Sequence, residues 1–291
     1  MKVLLHAFLF GLVILMSCNT ASKKEADNEQ FDVENMPEES IEVKEIIYSL
    51  YLPTDIVQLF EETGTNFNPE LLIPINSLPK YEDQEQMALV MGALGVDMSY
   101  CKIFQQTPST AAYYDAIELL SEKLEIPKAI FLSASKRIDL YFDKPDSLSI
   151  IINNIFEEVN DHYKSNGQDA LASISLFGGW IEAMAIAAEI YDRENHFEMG
   201  HRILQQKFTL NNMISLLSNY QESLHVRGYI LLLSKLRQEF DNVDIMYKKE
   251  GFNIDTTNKR LQTTGSEIVY ATDTLDEISN LIQQIHNEVF N

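Results

Sequence analysis

The chain has few basic residues for its length. Its 291 residues include 22 Lys and Arg against 44 Asp and Glu, which gives a formal net charge of −22 at pH 7. A charge excess of this size and sign repels the phosphate backbone of nucleic acids, and it also repels anionic lipid surfaces. The composition therefore predicts no nucleic-acid partner, and any membrane attachment has to come from something other than the protein surface.

Cysteine is almost absent, since the chain has only Cys18 and Cys101. If Cys18 is modified, as its surroundings indicate below, Cys101 has no partner for an intramolecular disulfide. Cys101 is followed by Ile103 and Phe104 in an apolar segment. These neighbours favour a buried, inert thiol over a nucleophile.

Catalytic signature motifs are missing as well. The sequence contains no zinc-peptidase H-E-x-x-H, no G-x-S-x-G, no phosphate-binding or dinucleotide-binding glycine loop and no EF-hand calcium loop. Two Glu-x-x-His pairs, Glu198 with His201 and Glu222 with His225, match half-motifs of di-iron bundles. One continuous helix over 195–220 would separate the pairs by about 30 Å. We therefore predict no catalytic residue, no metal and no cofactor.

The N-terminus is an apolar run that ends at a cysteine. Residues 3–16 are apolar apart from His6, Ser17 is small, and polar chain begins directly after Cys18. The run is too short for a permanent membrane span, so residues 1–17 are predicted to be a cleaved signal peptide. The stretch "LMSC" resembles the bacterial lipobox, which implies acylation of Cys18 with chains such as palmitate. The alternative is an ordinary secreted protein cut near Ser17.

The rest of the chain divides into a tether and a helical domain. Residues 18–40 are polar and mostly acidic, so this segment is predicted to be a disordered tether behind the lipidated cysteine. Residues 41–291 have the apolar periodicity and the Pro and Gly punctuation of one all-α, multi-helix bundle. Thr264-Gly265 is a candidate turn for a small β-hairpin near the C-terminus. Helices are predicted at about 53–64, 82–104, 107–126, 127–144, 146–166, 169–191, 195–220, 224–240 and 274–290.

Two segments are apolar nearly all round and rich in small residues: 87–104, "MALVMGALGVDMSYCKIF", and 170–191, "ALASISLFGGWIEAMAIAAEIY". We predict that they are the central helices of the bundle, because glycine lowers helix propensity unless close packing offsets the loss. Each segment carries one acid, Asp97 and Glu182. A buried carboxyl group needs a cation, hydrogen-bond donors or a proton of its own.

Alternatives remain open for both acids. Asp97 is surrounded by apolar residues at helical spacing, and a buried ion pair with Arg137, Arg202 or Arg227 is the structural explanation. Glu182 shares a seven-residue spacing with Gln168, Ser175 and Glu189, which favours a solvated stripe. Tyr100 and Trp180 lie within one turn of the two acids. The candidate ligand-binding residues are Asp97, Tyr100, Trp180 and Glu182.

The segments "MGALGVDMSY" and "GGWIEA", followed by a long helical C-terminal half, resemble a group of uncharacterised Bacteroidetes lipoproteins. That group has LGVYGADLSY-like and GSWVE-like segments, and the likeness covers roughly residues 51–191. The resemblance implies a lipidated helical protein of the cell envelope and no particular chemistry.

Together these patterns favour an outer-membrane lipoprotein that acts as a non-enzymatic binding or interaction module. It would be held to the membrane by its acyl anchor and would bind an envelope protein or a small ligand. One alternative is an enzyme or a metal or small-ligand carrier that uses Asp97 and Glu182. Another is a purely structural scaffold.

Overall fold

A computed structural model describes residues 65–130, 145–194, 196–247, 252–255, 260–263, 266–271 and 273–291. The predicted signal peptide, Cys18, the tether and the helix predicted at 53–64 lie outside the described residues. So does most of the helix predicted at 127–144, including Arg137.

The described residues form a helical bundle with short strands near the C-terminus. Its α-helices are α1 (Gln84–Ile103), α2 (Thr107–Lys123), α3 (Pro145–Ser165), α4 (Asp169–Glu194), α5 (Phe197–Gln205), α6 (Lys207–Ser218), α7 (Leu224–Phe240) and α8 (Thr274–Phe290). Two 3₁₀-helices, Pro69–Leu71 and Ile75–Lys80, precede α1. The prediction of an all-α bundle is confirmed.

One predicted boundary is wrong. The sequence pattern indicated a single helix over 195–220, but the structure has α5 and α6 with a turn at Gln206 between them. No glycine or proline marks this turn. The Gln206 side chain is buried and lies within hydrogen-bond distance of the indole Nε1 of Trp180, at 3.4 Å. The break therefore depends on a contact 26 residues away in sequence, which local periodicity does not record.

The core is organised around α1 and α4, as predicted. A Cβ on Gly92 would lie 1.8 Å from the carbonyl oxygen of Ser175, and a Cβ on Gly178 would lie 2.0 Å from that of Leu89. Only hydrogen fits at these two positions, so the backbones touch. The Gly92–Ser175 contact and the pairing of Asp97 with Glu182 further along both helices show that α1 and α4 run in the same direction.

Helix α8 packs antiparallel to α4. The Ser279 hydroxyl lies 3.0 Å from the carboxylate of Asp192, and the Gln283 amide donates to the Ala185 carbonyl at 2.7 Å. Three isoleucines of α8 fill the interface from the same side, at positions 278, 282 and 285. α4 is therefore covered by α1 and by α8.

Two antiparallel strand pairs lie between α7 and α8. The strands are β1 (Asp244–Tyr247), β2 (Phe252–Asp255), β3 (Arg260–Thr263) and β4 (Ser266–Val269). β1 pairs with β4, and β2 pairs with β3. The predicted C-terminal hairpin is confirmed, with β2 and β3 joined through residues 256–259. The predicted turn residues, Thr264-Gly265, lie outside the described residues, and the strands on either side of them, β3 and β4, each pair with another strand.

Three helices end in a residue with left-handed backbone conformation: Gln105 (φ 55°), Glu125 (φ 59°) and Gly167 (φ 70°). After each of them the chain turns back, as in the bond from the Gln168 amide to the Tyr163 carbonyl at 2.8 Å. This is the Schellman arrangement, and at Gly167 it ends α3 close to the C-terminal bound of the helix predicted at 146–166.

Helix α4 is long and apolar enough to cross a membrane by length and composition alone. Its most apolar 18-residue window has a mean hydropathy of 1.6, and 89% of that window is buried inside the fold. Burial of this kind is what the central helix of a bundle requires, and it explains the composition without a membrane.

Candidate functional site

Asp97 lies in the second turn of α1 from its C-terminal end and is fully buried. Its Oδ2 accepts a hydrogen bond from the backbone N–H of Ile73 at 3.0 Å. Ile73 belongs to the segment between the two 3₁₀-helices, so the carboxyl group fixes the chain that crosses over α1. The Tyr113 hydroxyl of α2 donates to the Ile73 carbonyl at 2.9 Å and holds the same residue from its other side.

The predicted ion pair of Asp97 with an arginine is wrong for the two candidates that the structure describes. Arg202 donates to Gln205, and Arg227 donates to the Gln221 carbonyl. Asp97 instead interacts with a second carboxyl group, that of Glu182. Among the described residues, the bonded partners of Asp97 are thus an amide and a carboxyl group, and neither of the two described arginine candidates pairs with it.

Glu182 is also fully buried, so the predicted solvated stripe on α4 is wrong at its centre. Ser175, one heptad earlier, is buried as well, whereas Gln168 and Glu189 are partly exposed. The heptad spacing correctly placed these four residues on one face of α4. That face is covered in the middle by α1 and α8 and uncovered at its ends, and spacing alone cannot show where a neighbouring helix lies.

A third member of the cluster is His286 of α8, which the sequence analysis did not select. Its Nε2 lies 2.6 Å from Glu182 Oε2, and its side chain is 18% exposed. The pattern did contain a signal. Ser279, Gln283 and His286 follow one another at helical spacing beside the buried isoleucines of α8, and each of the three contacts α4. A polar stripe that borders an apolar one is a sign of a helix that bonds to its neighbour through side chains.

Two buried oxygens in the cluster, Asp97 Oδ1 and Glu182 Oε1, have no hydrogen-bond donor among the groups that the structure describes. Two ionised carboxylates could not satisfy each other, because neither carries a hydrogen. A proton on Asp97 removes the problem, since the Asp97 O–H can then donate to the Glu182 carboxyl group, with which it shares a side-chain hydrogen bond. The arrangement is therefore a buried acid pair that has to hold at least one proton.

Burial is the main cause of the altered proton affinities. It raises the pKa of Glu182 to about 8 and raises the pKa of Asp97 well above its usual range, with the neighbouring Glu182 adding to the second effect. Burial also lowers the pKa of His286 to about 4. At pH 7 the imidazole is thus neutral, and a protonated Glu182 can donate its hydrogen to His286 Nε2. With two protons on the acids, every polar atom of the pair has a partner and the cluster carries no net charge.

The other two predicted site residues lie elsewhere. The Tyr100 hydroxyl accepts a hydrogen bond from the backbone N–H of Asn68 at 3.2 Å, and its ring packs against Phe67 and Phe104. Trp180 is buried and points to Gln206. The structure therefore brings Asp97 and Glu182 together. Tyr100 bonds to Asn68, in the same segment before α1 that Asp97 bonds through Ile73. Trp180 is packed in the core.

A surface groove of about 370 Å³ opens beside residues 66–71, the segment that contains the Tyr100 partner Asn68. It lies between the segment around the first 3₁₀-helix and the C-terminal end of α4. Its charged lining consists of Glu70, Glu189, Arg193 and Glu194. Arg193 is already bonded to Glu189 at 2.5 Å. The groove is open to solvent, whereas Asp97 and Glu182 are fully buried.

Within the described part of the chain, no group of three or more His, Cys, Asp or Glu side chains is placed to hold a metal ion. Of the two Glu-x-x-His pairs, His201 stacks on Phe197 and His225 lies 3.8 Å from Asp83. Cys101 is a buried free thiol, and burial raises its pKa to about 12. The predicted burial of this thiol is confirmed, and a raised pKa disfavours the thiolate that a nucleophile needs.

Comparison of the chain with protein-family models, with curated proteins and with solved structures gives no significant match.

Proposed function

We propose that the chain is a lipid-anchored protein of the cell envelope, held at the outer membrane through Cys18, and that its helical domain binds a partner or a small ligand and catalyses no reaction. The N-terminal pattern and the resemblance to Bacteroidetes lipoproteins support the address. The acidic surface supports an acyl anchor over electrostatic attachment, because a net charge of −22 repels anionic lipids.

The observation that favours a non-enzymatic role is the use made of the two acids. Asp97 bonds to the Ile73 amide, and Glu182 bonds to His286. Both carboxyl groups thus join separate elements of the fold and are enclosed by them. A catalytic acid has to reach its substrate directly or through one water. These two are better suited to holding helices together.

The groove is the place where we expect the ligand. Its volume falls at the lower end of the range of small-molecule sites, which is about 300–1,000 Å³. Its three glutamates outnumber its single arginine, so it favours a ligand with a positively charged group. Apolar contact is available from Phe67, Leu71 and Ile190.

Native mass spectrometry of the full mature protein, extracted in mild detergent from the membranes of its source cell, tests both parts. We expect acyl chains on Cys18 and a bound small molecule. Cys18→Ala should lose the acyl mass and move the protein to the soluble fraction. Glu70→Gln with Glu194→Gln should lose the bound molecule.

Asp115→Asn with Asp241→Asn is the matched control, since it removes two charges from exposed positions outside the groove. Loss of the ligand from the control as well would argue against the groove. A wild-type protein without acyl chains would refute the anchor.

A carrier that uses Asp97 and Glu182 is the second candidate, and the two buried oxygens without a donor favour it. In the same experiment, a metal ion or small molecule would stay with wild type and with the groove variant. It would be lost from Asp97→Asn and Glu182→Gln. That result would replace the groove by the acid pair as the site.

A further inference from the structure

Among the three described members of the cluster, His286 is the one that reaches solvent. Asp97 and Glu182 are both fully buried, whereas the His286 side chain is 18% exposed. Water that is to hydrate an ionised Glu182 therefore has to enter where α8 lies on α4. The contact at risk when the pair loses a proton is the one between Glu182 and His286.

The C-terminal end of α8 has a second attachment close by. The Phe290 carbonyl accepts hydrogen bonds from the Tyr81 hydroxyl at 2.9 Å and from the Lys80 ammonium at 2.5 Å. The His286 ring also lies against the Phe290 ring, with 4.9 Å between centroids. Two attachments therefore hold the last turns of α8. One is the bond between His286 and the titratable Glu182, and the other is the pair of hydrogen bonds that the Phe290 carbonyl accepts.

We propose that Asp97, Glu182 and His286 form a pH-operated latch that holds the C-terminal half of α8 on α4 while both acids are protonated and frees it when Glu182 ionises. This latch is a property of the fold and does not depend on the proposed ligand or on the lipid anchor.

The balance of charges around the pair explains why ionisation favours opening. Among the described residues, the titratable groups that interact with the pair are Cys101 on α1, Tyr113 on α2, Tyr81 after the second 3₁₀-helix, and His286 on α8, and Lys80 precedes Tyr81 in the chain. Burial raises the pKa of the thiol and of both phenols, and His286 is neutral. Lys80 directs its ammonium to the Phe290 carbonyl.

Within the described part of the chain, the groups that interact with Glu182 are the Asp97 carboxyl group and the His286 imidazole, so a carboxylate formed at Glu182 has no cation bonded to it there. Burying a charge without a partner costs several kcal/mol. Water can reach the Glu182 carboxylate if the last turns of α8 separate from α4. The N-terminal half of α8 can stay in place, since it has contacts of its own. Ser279 remains bonded to Asp192, and Gln283 remains bonded to the Ala185 carbonyl.

Hydrogen exchange of the full mature protein at pH 6.5 and at about pH 8.5 tests the latch, with rates corrected for the intrinsic effect of pH. In wild type we expect protection of the amides of residues 284–290 to fall about tenfold or more at the higher pH. Protection of α7 should stay constant. In Glu182→Gln, which keeps the shape and cannot ionise, protection of residues 284–290 should not depend on pH.

Glu189→Gln is the matched control, one heptad along α4, and should behave as wild type. The proposal is overturned if wild-type protection of residues 284–290 is unchanged, if Glu182→Gln shows the same fall, or if α7 loses protection in parallel. Should Glu182→Gln fail to fold, infrared spectroscopy of wild type decides. The band of a buried protonated carboxyl group has to disappear over the same pH range in which protection falls, and its absence at pH 6.5 would refute the latch.

Discussion

The middle and the C-terminal end of α4 each carry a glutamate, and the two glutamates differ in their exposure to solvent. Glu182 and Glu189 are seven residues apart on one face of the helix, yet Glu182 is fully buried and the side chain of Glu189 is 30% exposed. Glu189 bonds to Arg193, and Glu182 shares protons with Asp97 and His286. Position on a helix face therefore does not decide hydration. What decides it is whether a neighbouring helix lies opposite, as α1 and α8 do at the middle.

The largest expected effect comes from forcing α1 away from the middle of α4. Gly178→Ala would bring a methyl group against the Leu89 carbonyl, and we expect it to lower the free energy of unfolding by about 3 kcal/mol. Gly228 of α7 has open space where its Cβ would be. Gly228→Ala should raise the same quantity by about 0.5–1 kcal/mol. Urea denaturation measures both, and a Gly178→Ala protein as stable as wild type would disprove the tight contact.

Removing the buried acid should have nearly as large an effect. Glu182→Ala deletes the partner of His286 and of Asp97 and leaves a cavity, so we expect a loss of about 2–3 kcal/mol. Glu189→Ala should change stability by about 0.5 kcal/mol or less. Equal effects of the two substitutions in thermal or urea unfolding would abolish the distinction between the two regions.

A smaller difference between the middle and the C-terminal end of α4 is expected in how the free energy of unfolding depends on pH. Since the pKa of Glu182 is raised, its contribution is full below the unfolded pKa of 4.5 and is lost as the pH rises through 8. Between pH 6.5 and 8 we expect the free energy of unfolding to fall by about 1.5 kcal/mol. Below pH 6.5 the lowered pKa of His286 acts in the opposite direction, because that contribution is lost as the pH falls through 4.

Urea titrations at a series of pH values provide the measurement. Glu182→Gln should be flat between pH 6.5 and 8, and Glu189→Gln should keep the wild-type slope. A slope that survives in Glu182→Gln would assign the titration to another group.

The smallest effect belongs to the exposed end of the helix. Arg193→Ala removes the partner of Glu189, and its side chain is 52% exposed, so we expect a change in stability of about 0.5 kcal/mol or less. Added salt should reduce that change further. A loss of several kcal/mol would mean that the groove wall is as tightly coupled to the core as the acid pair.

Much of the fold follows from local pattern. The bounds predicted for α7 and α8 agree with the structure, because Ser223 and the apolar periodicity mark them within the sequence itself. The closeness of α1 and α4 could also be inferred, since glycines in two apolar helices require a nearby backbone. Asp97 and Glu182 could be selected from the sequence because each is the acid within one of these two apolar segments.

The parts that were missed depend on which helix packs against which. Asp97 was expected to pair with an arginine, Glu182 was expected to be solvated, and His286 was not considered. Each error concerns a partner 85 or 104 residues away, and hydrophobic periodicity contains no information about such pairings. The turn at Gln206 was missed because its cause is a contact with Trp180, with no turn residue to announce it.

The central packing of α1 against α4 also bears on how the protein folds. Gly92 meets Ser175 across 83 residues of chain, and Glu182 meets His286 across a further 104. A bundle of neighbouring hairpins gains its contacts early from short loops, whereas this core forms only after most of the domain has been synthesised. Its refolding rate should therefore be lower than that of helical proteins with low contact order, despite its wholly helical core.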